Sequence, residues 1–195
     1  MQLKIADFHD IDGIFALHSK YQIDTILEED KKDGFVTTAF SKEQLSDIIE
    51  KEQGIFVAIE EGEIVAYVMS ASWQYWSPWP IFAVMMEDLP HLIFQSQTLS
   101  VHNSYQYGPV CVDKRVRGSG VLEKLFDFAL ERMQQKYPIL VTFINKINHR
   151  SYEAHTRKIG LKVIAEFAFN GNAYYELAFD TSKRVGKGVD NDTTE

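Results

Sequence analysis

Between residues 105 and 136 the chain passes from a strand into a helix across a short junction rich in arginine and glycine. Residues 105–113 carry the β-branched and aromatic side chains that suit a pleated surface. From 120 to 136, Leu122, Leu125, Phe126, Ala129 and Met133 recur with the helical period, and Pro138 ends the run. The junction reads Arg115-Val116-Arg117-Gly118-Ser119-Gly120. Its glycines remove side chains where the backbone must turn tightly and a ligand can come close. The first amides of a helix lack internal partners, and the helix dipole places partial positive charge there. A pyrophosphate is a natural occupant, with Arg115 and Arg117 adding full charges. The plain alternative is a basic surface turn that caps a helix. No Gly-Lys-Ser/Thr follows, so this is not the Walker-type loop. With two glycines and no ribose-binding acid on a βαβ unit, it is not the dinucleotide pattern either.

The flanking sequence supplies the other elements. A short strand is expected over residues 2–6 and a helix over 8–21. Residues 22–40 read as a loop or irregular helix. Ser41 and Gln44 have capping-box spacing at the start of a helix over 42–51, which Gly54 stops. Strands over 55–59 and 64–69 flank an acidic turn. The segment 71–104 is the least regular and holds Trp73, Tyr75, Trp76, Trp79 and Phe82, with a helix near 81–86. A strand over 140–144 precedes a helix over 148–158, closed by Gly160. Strands over 161–169 and 173–179 flank Asn170-Gly171, the pair suited to a type I′ hairpin turn. This order predicts an α/β (α+β) domain: a mixed, mostly antiparallel central sheet of about seven strands with helices on both faces. One domain over 1–180 and a flexible tail over 181–195 complete the expectation.

Composition narrows the partners. Twenty Lys plus Arg against 28 Asp plus Glu give a net charge of −8, so no global basic field favours nucleic acid. No apolar run approaches the roughly 20 residues of a membrane span, and the first residues do not read as a signal peptide. A cytoplasmic protein with neither nucleic acid nor membrane as a partner is expected. The lone cysteine, Cys111, excludes an internal disulfide framework and a cysteine-rich metal site.

The motif Arg115-x-x-Gly118-x-Gly120, after the strand Val110-Cys111-Val112-Asp113 and before a helix, resembles the acetyl-CoA signature of GNAT-superfamily N-acetyltransferases. The element order from Gln2 to about Asp180 is similar as well, and so is the strand–Asn–helix–Gly segment of 141–161. The resemblance implies a GNAT-like acyltransferase fold with acetyl-CoA as co-substrate and no metal. It implies that Arg115, Val116, Arg117, Gly118, Ser119 and Gly120 hold the pyrophosphate. The backbone of Val110, Cys111 and Val112 would pair with the pantetheine arm, in the way a peptide adds to an open sheet edge. Asn148 and Ser151 would contact the same arm.

Acetyl transfer needs an amine freed of its proton and an acid to meet the leaving thiolate. On the helix opened by Asn148, residues 148, 151 or 152, and 155 project from one side. In the resembled family a tyrosine about two turns along protonates the sulfur. Here that spacing falls on His155, while the helix is one residue longer than the family's spacing, so Tyr152 is the rival acid. No general base stands out; His102, Glu28 and Asp113 are candidates, or water relays the proton. The aromatic segment could wall the acceptor pocket or simply cover core, with His91, Gln95 and Gln97 as polar contacts. The leading function is acetyl transfer from acetyl-CoA to a primary amine of a small molecule or peptide. The alternative is a catalytically silent CoA-binding sensor or interaction module. The final hairpin and the aromatic insert are candidate homodimer contacts.

Overall fold

The computed structural model describes residues 1–185. A seven-stranded sheet forms its centre, in the spatial order β1 (Gln2–Ile5), β2 (Ile55–Glu60), β3 (Glu63–Ala71), β6 (Ser104–Val112), β7 (Ile139–Asn145), β9 (Asn172–Asp180) and β8 (Lys162–Phe169). Every neighbouring pair runs antiparallel except β6 and β7. Two missing strand numbers belong to a small ribbon, β4 (Ile93–Phe94) and β5 (Gln97–Thr98), outside the sheet. The mixed sheet expected from the element order is the one observed.

Two apolar layers cover it. On one face α1 (Ile11–Tyr21), α2 (Lys42–Glu52), α3 (Trp73–Trp76) and α4 (Pro80–Asp88) pack Ile14, Leu45, Ile48, Trp73 and Trp76 against the sheet. On the other, α5 (Val121–Met133) buries Leu125, Phe126, Ala129 and Met133, the stripe its period requires. Ser41 accepts from the Gln44 amide and Gln44 caps Ser41 in return, so the capping box forms in full. Asn170 and Gly171 both take left-handed φ, 47° and 76°, as a type I′ turn demands.

Some boundaries differ. The expected helix over 8–21 begins as a 3-10 turn, Phe8–Asp10, because Asp7 caps the His9 amide; α1 proper starts at Ile11. The helix expected over 148–158 is split into α6 (His149–Glu153) and a π-helical turn, Ala154–Ile159. Residues 181–185 are tied back to the domain: Thr181 Oγ1 donates to Tyr137 O at 2.8 Å and the Val185 amide to Asp127 at 3.0 Å. The remainder of the expected tail, 186–195, lies outside the described residues. Among the described residues no helix is long and apolar enough to cross a membrane.

Strands β6 and β7 position the site. They pair only over three residues each, Ser104–Gln106 with Ile139–Val141, and then part. Gly108 and Pro109 sit where they diverge; Pro109 has no N–H to give a ladder. Past the split, Thr142 Oγ1 and Gln106 Nε2 both donate to Tyr107 O, each at 2.6 Å. Arg117 Nε takes Val112 O at 2.9 Å. The backbone edge between these two carbonyls has no strand partner on its β7 side.

Candidate active site

Two cavities meet in this split. The first, of about 110 Å³, runs from Gly118 and Gly120 along Val110–Val112 to His155. The second, of about 70 Å³, continues from Val110 and His155 past Tyr107 and Gln106 to Phe82 and Phe143. Phe35, Val36, Val110, Asn148, Ser151 and His155 border both, so the two form one passage through the sheet.

At the outer end, Gly118 and Gly120 each adopt φ +81°, a conformation that costs any other residue about 1–2 kcal/mol. A Cβ at either position would meet nothing within 4 Å, so the loop surface is open there. Gly120 is the N-cap of α5 and offers no side-chain cap, which leaves the first amides of that helix facing outward. Arg117, Arg150 and Lys158 border the same cavity, against two carboxylates, Asp33 and Glu123. Despite the overall charge of −8, this mouth is locally cationic.

The loop is built from behind. Asp113 accepts from the Arg115 amide at 2.9 Å, from Lys20 Nζ at 2.9 Å and from Tyr21 Oη at 3.4 Å. Burial alone would raise its carboxyl, but these hydrogen bonds and the Lys20 charge bring it down to about 2. Arg115 turns away to Glu63 and Asp113, Val116 is packed in the core, and Ser119 Oγ donates to Val116 O. These three expected pyrophosphate residues shape the turn without bordering the cavity. Arg117 does border it. Its Nη1 donates to Asp33 O at 2.7 Å and its guanidinium lies 5.0 Å over the Tyr21 ring, with no carboxylate paired to it among the described residues.

Asn148 caps α6 by accepting from the Ser151 amide, while its Nδ2 donates to Phe35 O at 2.9 Å. The cap thus pins the segment around Gly34 and Phe35 over the passage as a roof. Cys111 also lines the first cavity, but burial pushes its thiol well up, so it is no ready nucleophile.

The inner end centres on His155. Its Nδ1 is 2.8 Å from Ser151 O, a carbonyl that can only accept, so Nδ1 carries the proton. Nε2 is then a bare acceptor, and Tyr107 Oη, 3.2 Å away, donates to it. Burial lowers the histidine below its ordinary value, partly offset by the Ser151 bond, and holds the ring neutral. Tyr152, the rival acid, packs against Tyr175 with centroids 4.6 Å apart and the rings tilted by 36°, and it borders neither cavity. The π-helical turn accommodates the extra residue of this helix and keeps His155 on the passage side; such turns recur at functional sites.

None of the three candidate bases borders the passage: Asp113 is held ionised, and Glu28 and His102 lie outside both cavities. His91, Gln95 and Gln97 also lie outside. Of the aromatic insert, Phe82 alone reaches the second cavity, while Trp73 and Trp76 are fully buried core. Tyr107, Gln106, Thr142 and the roof at Gly34 and Phe35 are the residues that sequence reasoning did not single out. A glutamine in an otherwise apolar strand, two residues before Gly108-Pro109, is the one signal that could have marked them. Among the described residues no group of three or more His, Cys, Asp or Glu could hold a metal.

The model of the acetyltransferase (GNAT) family matches residues 20–161. The chain belongs to that family. Membership makes it an N-acetyltransferase, and the matched span contains the Arg115–Gly120 turn described above. No curated protein matches the sequence. Several solved structures share the fold. The protein smu.2055 from Streptococcus mutans UA159 has a TM-score of 0.63 at 17% identity, covering 93% of this chain and 99% of that one. A ribosomal-protein-alanine N-acetyltransferase from Brucella melitensis has a TM-score of 0.60 at 16% identity, covering 92% and 99%. The Salmonella typhimurium protein yncA, solved with its cofactor acetyl-CoA, has a TM-score of 0.62 at 13% identity, covering 98% of each. At these identities the likeness is one of fold, and it identifies the sheet around the β6/β7 split as the GNAT acetyltransferase architecture.

Proposed function

We propose that this acetyltransferase moves an acetyl group from acetyl-CoA directly to a primary amine of a small molecule, within the β6/β7 split. The observation that carries this is the single passage from the Gly118–Gly120 turn to the Tyr107–His155 pair. Acetyl-CoA is the acetyl donor. The amides at the start of α5, with Arg117, Arg150 and Lys158, suit its phosphates. The unpaired edge of β6 suits the amides of its arm.

The proton path follows from the tautomer. As the amine attacks the thioester carbonyl, the C–N bond forms and the nitrogen becomes cationic. Tyr107 Oη takes its proton while passing its own to His155 Nε2, giving an imidazolium that Ser151 O stabilises through Nδ1–H. When the C–S bond breaks, the proton returns along the same pair to the thiolate. One proton enters and one leaves, so the dyad is restored in each turnover. His155 therefore acts through Tyr107, and Tyr152 takes no part.

Calorimetry with acetyl-CoA and a thiol-release assay over an amine panel test the reading together. Tight binding with thiol release is expected for the natural sequence, and Gly120→Val should lose acetyl-CoA affinity at least tenfold while remaining folded. Binding without release for any amine would favour a CoA-binding sensor. Unchanged affinity in Gly120→Val would remove the site assignment.

A further inference from the structure

The roof of the passage is the segment of residues 33–38. Asp33 and Gly34 border the first cavity, Thr37 and Thr38 the second, and Phe35 and Val36 both. The segment belongs to no strand of the sheet, and its ladder contact is a single bridge from Val36 to Gln22. Side chains from three other elements take its alternate carbonyls. Arg117 Nη1 donates to Asp33 O at 2.7 Å, Asn148 Nδ2 to Phe35 O at 2.9 Å and Gln22 Nε2 to Thr37 O at 3.3 Å. A segment so poor in ladder bonds opens easily, so these donors set where it lies. Arg117 follows β6 and Asn148 follows β7. Two of the three bonds therefore reach the roof from opposite lips of the split and strap it across.

Arg117 is anchored for this task. Its Nε donates to Val112 O at 2.9 Å, at the end of β6, and its guanidinium lies 5.0 Å over the Tyr21 ring. Tyr21 is held in turn, its Oη accepting from the Lys114 amide at 2.8 Å. A guanidinium has five N–H donors in a planar fork, so two given to carbonyls leave three for an anion in the cavity that Arg117 borders. A phosphate can meet Arg117 without releasing the roof. We propose that Arg117 is a positioning residue, which straps segment 33–38 over the thioester and keeps water from it. This rests on the acetyl-transfer reading and adds to it what suppresses hydrolysis. In that side reaction a water oxygen bonds to the thioester carbon and the C–S bond breaks. One proton of the water goes to the thiolate and the other to solvent, giving acetate and free CoA. A closed roof excludes this competitor, and an amine seated beneath it takes the acetyl group instead.

The test uses Arg117→Lys, which keeps the charge but cannot hold both carbonyls while lying flat on Tyr21. Three measurements are made: acetyl-CoA affinity by calorimetry, thiol release from saturating acetyl-CoA with no amine present, and hydrogen exchange of amides 34–38 in the ligand-free protein. In the lysine variant those amides should exchange about tenfold faster, the loss of one charge-assisted hydrogen bond, with exchange in the sheet unchanged. Amine-free thiol release should rise about fivefold, while acetyl-CoA affinity stays within about threefold because the charge is kept. Asn148→Asp keeps the oxygen that caps the Ser151 amide and loses the donor to Phe35 O. It should quicken roof exchange and amine-free release in the same way, and it decides the matter where Arg117→Lys does not fold. Natural rates of exchange or of amine-free release in the variants overturn the proposal. A tenfold loss of acetyl-CoA affinity with the roof undisturbed also overturns it, making Arg117 a phosphate contact alone. A natural chain that binds no acetyl-CoA removes the acetyl-transfer reading, and the water-excluding role with it, while roof exchange still shows whether the strap holds.

Discussion

Tyr107 Oη donates to His155 Nε2 across 3.2 Å, and this one bond joins the strand on one side of the split to the π-helical turn on the other. Burial keeps both rings neutral, and the bond sets the direction in which a proton can move. The Ser151 carbonyl behind the imidazole fixes that direction, because Nδ1 has to keep its hydrogen.

Tyr107→Phe should lower kcat about 100-fold, within the range for loss of a general acid–base group, and leave the affinity for acetyl-CoA within about twofold. With a weakly basic aromatic amine as acceptor, kcat of the natural enzyme should stay level as pH falls through 6.5. It should decline only further into acid, because burial holds His155 below that value. His155→Gln should lose this acid limb along with most of the activity. A limb centred above pH 6.5 would contradict the assignment.

Asp113→Asn should weaken acetyl-CoA binding about tenfold, equivalent to ~1.4 kcal/mol, although residue 113 borders no cavity. The carboxylate gathers the Arg115 amide, Lys20 and Tyr21 at the start of the loop, and an amide cannot answer all three. Calorimetry beside a thermal melt separates a loosened loop, where affinity falls more than stability, from general unfolding.

Acid should destabilise the fold through His18. Its Nε2 accepts from the Phe40 amide at 3.2 Å and its Nδ1 donates to Tyr67 Oη at 2.7 Å, both deep in the core. Burial lowers its pKa to about 4. Below pH 6.5 the unfolded chain gains a proton that the folded one does not. Stability should therefore be complete above 6.5 and fall by up to about 3 kcal/mol as pH drops to 4. Urea melts at pH 7, 5.5 and 4.5 measure the slope, and His18→Gln should flatten it.

Glu176 makes the opposite prediction. It is buried on β9 with Oε1 unpartnered, and burial, with Asp88 nearby, raises its carboxyl to about 7. The unfolded chain loses this proton near pH 4.5 and the folded one only near 7, so stability is lost as pH rises between them. Glu176→Gln should stabilise the protein by at least ~1 kcal/mol at pH 8 and by nothing measurable at pH 3.5, below both values. Equal melting temperatures of the two proteins at pH 8 would refute this.

The elements and the loop were legible because each rests on local physics. A period of two or of 3.6, a capping box at Ser41 and Gln44, a type I′ pair at Asn170-Gly171 and two glycines before a helix act over a few residues. The loop motif marked a turn at one end of the passage, and its Arg117, Gly118 and Gly120 border the cavity. It could not show that Arg115, Val116 and Ser119 face the other way, because the partners that turn them, Glu63, Asp113 and the core, are supplied by the tertiary fold.

The choice between His155 and Tyr152 lay beyond the sequence for the same kind of reason. Helical spacing puts both near one side, and the π-helical turn that assigns one to the passage and the other to Tyr175 is a compromise struck by packing. Tyr107 and Gln106 became visible only once β6 and β7 part, since a strand's pattern says which residues are buried and not what stands opposite them. The amino-acid order by itself settled which segments coil, which extend and where a glycine turn opens a helix, because those depend on neighbours in the chain. What reaches the reacting atoms depends on the gap between two strands about thirty residues apart, and only the folded sheet opens that gap.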